Sequence, residues 1–226
     1  MRLRETAILV ALLLATVFFW DSIALYPVKA FVVLLHELGH ATAAVLTGGQ
    51  VDRIELSPDL GGVCWSRGGW RLLVLPAGYL GSMLFGGAIL LAAARTRHDR
   101  ALAAALGLAV LALTIVFVRT LFGVGFGLVF GTALVCSARW LPPAVNDLLL
   151  RFLGLASVLY AVIDIKEDLI SRTVLGSDAY AMSQELFLPP VFWGVLWMVL
   201  AIVAAVAFLF LASRGERGST AARASR

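Results

Sequence analysis

The sequence predicts an all-α polytopic membrane protein of about six or seven transmembrane helices, with one small β-hairpin after its second apolar run. Three observations carry this reading. Of 226 residues, 61% are hydrophobic and only 14% are charged, whereas a soluble domain is nearer half apolar and a quarter charged. Several apolar runs reach the roughly 20 residues that a helix needs to cross the hydrocarbon core. Between two of these runs lies a polar, turn-rich segment in which apolar residues alternate rather than recur at helical spacing.

Seven apolar runs qualify as spans by hydropathy: Thr6–Leu25, Val28–Thr47, Trp70–Ala94, Ala101–Val118, Thr120–Ala138, Ala144–Ile165 and Val191–Ala212. The first, in "MRLRETAILVALLLATVFFW", has the charged start and apolar middle of a signal peptide. The following "DSIALYPVKA" offers no small-x-small cleavage site, so an uncleaved signal-anchor and first span is expected. In "GGQVDRIELSPDLGGVCWSRGGW", "VDRIEL" alternates apolar and polar residues, "SPDLGG" is turn chemistry and "VCW" resumes, which reads as a hairpin. Pro142-Pro143 and Pro189-Pro190 stand just before the last two runs, where a helix start has no use for the missing N–H. Residues 1–212 read as a single domain with no internal repeat, and the small, polar, basic tail 213–226 reads as disordered.

The net charge of +4 comes largely from arginines at the ends and in short loops, which suits a lipid bilayer with anionic headgroups. No solvated basic face of useful length exists, so nucleic acid is excluded as a partner. Arg2 and Arg4, the loop "RTRHDR" and the arginine-rich tail all ask to be cytoplasmic, yet three of the seven runs separate the first two. Orientation is therefore left open, as is oligomeric state. Cys64 lies in the polar segment and Cys136 in an apolar run, a placement that argues against a disulfide.

The stretch "FVVLLHELGHATAAVLTGG" puts two histidines and a glutamate into a run otherwise ready for lipid. On a helix His36 and His40 are i and i+4, so both imidazoles lie on one face and can bind one metal ion. Glu37 follows the first histidine and can serve as general base for a water at that ion, the mechanical content of H-E-x-x-H. Zinc suits imidazole ligands, keeps an open position in catalytic sites and lowers the pKa of its water to about 7. Two of the chain's three histidines fall in this motif. Ionisable groups in a span cost several kcal/mol each and by default mark a functional site. The bland alternative is a polar cluster that holds helices together.

A third protein ligand has to come from elsewhere. His98 sits in the solvated loop "RTRHDR" and is set aside. Asp164, in "SVLYAVIDIKEDLI", lies toward the end of an apolar run where an unpaired carboxylate is costly, and is the leading candidate. Asp168, one turn on, and the adjacent Glu167 read as interfacial. Asp178, in "GSDAYAMSQELF", is the next candidate, its bland reading a helix cap, and Asp168 or no carboxylate at all is the remaining alternative. Arg119, between two apolar runs, reads either as the mark of a tight interhelical turn or as a partner for a carboxylate or developing oxyanion. Gly78, Ser82 and Gly86 recur at small-x-x-x-small spacing and are assigned to helix packing.

An "HELGH" in an early span, followed by "GG", "IELSPDLGGV", "AGYLGS", an arginine before "LFG" and a later "LYAVIDIKED" and "SDA", resembles the M50 intramembrane zinc metalloproteases. This is the site-2-protease class, and the likeness is greatest to its M50B-like branch in bacteria; it covers about Val28 to Trp197. The resemblance implies zinc held by His36 and His40, a catalytic Glu37, and an aspartate ligand from a later helix. It also implies peptide-bond hydrolysis of a membrane-anchored protein substrate by a multi-pass protein of the bacterial cell membrane. The class's N-x-x-P-x-x-P-L-D-G motif is absent here, so Asp164 is assigned by position and environment. Ser82 stands where the class carries an asparagine, and no PDZ-like insertion is present. A catalytically inactive membrane scaffold with the same fold is the alternative.

Overall fold

The structure, a computed structural model, describes residues 3–166 and 177–214. The elements in chain order are α1 (Leu3–Phe18), a 3-10 turn (Ile23–Leu25), α2 (Tyr26–Leu46), β1 (Gln50–Leu56), β2 (Gly62–Arg67), α3 (Arg71–Val74), α4 (Ala77–Arg95), α5 (Asp99–Phe117), α6 (Leu121–Trp140), α7 (Pro143–Lys166), α8 (Asp178–Leu186) and α9 (Pro190–Arg214). Among the described residues six helical stretches are long and apolar enough to cross a membrane: Ile23–Leu46, α4, α5, α6, α7 and α9. The protein is thus an integral, multi-pass, mainly helical membrane protein with a two-stranded antiparallel hairpin. Glu167, Asp168 and residues 215–226 of the tail lie outside the described residues.

The first apolar run is where sequence and structure part. Its helix has 16 residues, about 24 Å at 1.5 Å per residue and short of a full span. Ser22 accepts a hydrogen bond from Ala24 N at 3.2 Å and starts the 3-10 turn that leads into α2. Counting α2 as the first crossing puts an even number of spans between the start of α1, the 95–100 loop and Arg214 at the end of α9. All three basic segments then share one side, as the positive-inside rule asks.

Small residues set the helix packing. Gly39 of α2 faces the backbone of Ala77 and Gly81 on α4, and Gly86 of α4 faces Gly154 and Ser157 on α7. A Cβ at any of these four glycines would collide with the neighbouring helix, so they allow the close approach on which membrane helices depend. The α2–α4–α7 group thus forms the centre, with α9 against α4 and α7. Helices α5 and α6 pair beside it, with Gly107 against Gly131 and Gly127 against Thr114.

The hairpin does not project beyond α2 but folds back along it. Gly69 packs on Ala44, Gly62 on Glu37, and the Tyr26 hydroxyl donates to the Pro58 carbonyl at 2.6 Å. Backbone lying alongside a spanning helix has to be satisfied by protein or by a wet cavity. The α5–α6 connection closes the β1 edge. Arg119 N donates to Ile54 O at 3.0 Å, Leu56 N donates to Thr120 Oγ1 at 3.1 Å, and Thr120 Oγ1 donates to Leu56 O at 2.7 Å. The Arg119 guanidinium donates to the carbonyls of Ile115, Val116 and Val118. It therefore caps α5 at a tight interhelical turn, the first of its two readings.

Candidate metal centre

The site is built where α2, α4, α8 and β2 meet. His36 and His40 project from one face of α2 with ring centroids 4.8 Å apart. Both present Nε2 to one oxygen, Oδ2 of Asp178, at 3.1 and 3.2 Å. These three groups form a cluster whose donor atoms all lie within 4.8 Å of one another. Asp178 is the first residue of α8, whose N-cap is Ser177, accepting from Tyr180 N at 3.3 Å. Capping therefore falls to Ser177, and the Asp178 carboxylate is free to turn toward the histidines. Burial alone would raise the Asp178 pKa, but the two imidazoles outweigh it and hold the carboxyl below its ordinary range.

The structure brings His36 and His40 together with Asp178 and not with Asp164. Asp164 lines the same cavity from α7, but it does not belong to the converging group. The physical reason is the return of the chain: α8 packs against α9 and lays its first residue over the histidines. A sequence reading that weighs each carboxylate by its own helix cannot see this. His98 is N-terminal to α5, away from the cluster.

Two glycines missed as site residues give the cluster its space. A Cβ at Gly78 would run into Nε2 of both histidines, and one at Gly62 would run into the Glu37 carboxyl. Gly78 lay within a packing stripe, and Gly62 within turn chemistry, so neither drew notice as part of a site. The cradle under both Nε2 atoms, with two nitrogens and a carboxylate oxygen converging on it, fits a single metal ion. His40 Nδ1–H donates to the Val74 carbonyl at 2.8 Å, a bond of the kind that fixes the tautomer of a metal-binding imidazole and leaves Nε2 for the metal.

Glu37 is buried, at 4% exposure, and its carboxyl meets the backbone of Cys64 on β2. The backbones of Ile54 and Leu56 turn away from β2 toward the 118–120 segment. Their register partners Cys64 and Gly62 therefore turn their N–H and C=O groups outward on the opposite edge, and Ser66 follows by period two. That edge, Gly62 to Ser66, lines a cavity of about 590 Å3 together with the histidines, Glu37 and Asp178. One edge of the hairpin is closed by protein; the other faces the cavity beside the candidate metal ligands, with Glu37 on the Cys64 N–H.

Ser82 does not contribute to this cavity from the position where an asparagine was expected. Its hydroxyl turns back and donates to the Tyr79 carbonyl at 3.0 Å. Cys64 and Cys136 are both free thiols.

Residues 9–208 match the family described as Peptidase M50B-like. No curated protein and no solved structure matches the chain. The match spans most of the 226 residues and includes both histidines, Glu37, the hairpin and Asp178. The chain belongs to the Peptidase M50B-like family.

Proposed function

We propose that this protein is a zinc-dependent intramembrane endopeptidase that hydrolyses peptide bonds of membrane-anchored protein substrates. The observation that carries the reading is the convergence of His36 Nε2, His40 Nε2 and Asp178 Oδ2, with Glu37 one residue from the first ligand. His36, His40 and Asp178 would hold the ion, which when bound supplies Lewis-acid activation of a water and of the scissile carbonyl.

The chain's own residues supply the rest. A substrate segment unwound to an extended strand pairs with the β2 edge through the outward groups of Gly62 and Ser66 and the Cys64 carbonyl, the Cys64 N–H being held by Glu37. Pairing there lays the peptide across the cavity beside Glu37. Glu37 takes a proton from the attacking water and delivers it to the leaving amine, a role that commonly contributes about 10²- to 10⁴-fold in rate.

Glu37→Gln tests this directly. It is expected to keep the metal and to cut cleavage of a membrane-anchored reporter by roughly 10²-fold or more. Unchanged processing by Glu37→Gln would contradict the peptidase reading and leave an inactive scaffold that binds membrane partners.

A further inference from the structure

The two histidines are held by different means. His40 is anchored by its hydrogen bond to the Val74 carbonyl. Among the described residues no hydrogen-bond partner faces Nδ1 of His36; its recorded bond is through Nε2 to Asp178. The imidazole χ2 torsion has broad, shallow preferences, so a ring without an anchoring hydrogen bond depends on what packs against it. For His36 that neighbour is Tyr79, whose ring meets it edge-on with centroids 4.7 Å apart and planes at 90°.

Tyr79 is itself immobilised. It is 3% exposed, follows Gly78 on α4 and lines the metal cavity. Trp197 of α9 backs it at 5.7 Å between centroids, and Trp193 backs Trp197 at 6.5 Å. Adjacent residues of one helix thus divide the work: Gly78 leaves room for the imidazole nitrogens and Tyr79 fills the space beside one ring.

We propose that Tyr79 is a positioning residue of the metal centre, its ring setting the orientation of His36 as the Val74 carbonyl sets that of His40. The inference rests on the zinc reading above and adds a residue to it. Loss of a hydrogen-bonded partner of a ligating histidine changes metal affinity by about 10- to 100-fold, and loss of a packed ring is expected at the lower end of that range.

The test is Co2+ binding to the full-length chain in detergent, read as affinity and as the visible ligand-field spectrum. Wild type, Tyr79→Phe, Tyr79→Leu and Tyr79→Ala are compared, with Met83→Ala as control, a side chain one turn along α4 and equally buried. Tyr79→Ala and Tyr79→Leu are expected to weaken Co2+ binding about tenfold and to shift the spectrum. Tyr79→Phe, which keeps the ring, should retain wild-type affinity and spectrum. Met83→Ala should lower thermal stability without touching either. Wild-type behaviour in Tyr79→Leu would overturn the proposal, and so would a Tyr79→Phe loss as large as that of Tyr79→Leu. This pair decides even where Tyr79→Ala does not fold. Failure of the wild type to bind Co2+ or Zn2+ would instead remove the zinc reading, and this inference with it.

Discussion

Gly78 on α4 faces His40 across a gap with no room for a methyl group: a Cβ at that position would lie 2.5 Å from His40 Nε2. The same Cβ would meet His36 Nε2. The space that one missing methyl leaves is the space in which the three donor atoms converge.

Gly78→Ala is therefore expected to abolish zinc binding while the helices remain assembled. Gly125→Ala is the matched control, because a Cβ there meets nothing within 4 Å; it should be silent. Metal analysis of both purified variants checks this, with circular dichroism to confirm helix content.

Strand pairing at β2 predicts a separation of binding functions. Ser66→Pro removes an outward N–H from an edge strand, where proline is otherwise tolerated. It should reduce reporter cleavage by roughly tenfold, the loss of about one hydrogen bond's worth of transition-state binding, and leave zinc content unchanged. Equal cleavage by Ser66→Pro and wild type would show that substrate does not pair along this edge.

Cys64 provides a readout of the cavity that does not need turnover. Burial, with the nearby Glu37 charge adding to it, pushes its thiol up to about 12. A raised thiol pKa means the unreactive protonated form persists across neutral pH, and thiolate appears only as pH climbs toward that value. In a Cys136→Ser background, maleimide labelling at about pH 8 should run roughly 10³-fold slower than for a free cysteine, the ratio of their thiolate fractions. It should rise with pH and quicken in Glu37→Gln. Labelling as fast as a free thiol would contradict the buried placement of Cys64.

Much of this was legible in the sequence, for a reason that also marks the limit. Spans such as α4 to α7 and α9 declare themselves because lipid demands long apolar runs, and "VDRIEL…SPDLGG…VCW" declares a hairpin because alternation and turn chemistry are local. The pairing of His36 with His40 is equally local, since i and i+4 share a helix face. Two features depend on residues far apart in the chain and were not legible. The hairpin lies back along α2 because Arg119 and Thr120 close its β1 edge. Asp178 reaches the histidines across 142 positions because α8 folds over them. Asp164 drew the assignment because a carboxylate in an apolar helix looked costly by itself, whereas Asp178 sat in polar sequence whose capping role Ser177 in fact fills.

The central claim is that Asp178 completes the metal site with His36 and His40. Zinc per chain, measured in detergent-purified wild type, Asp178→Asn and Asp164→Asn, tests it most directly. The account predicts about one zinc ion per chain in wild type and in Asp164→Asn, with loss in Asp178→Asn. Zinc retained by Asp178→Asn and lost from Asp164→Asn would contradict it.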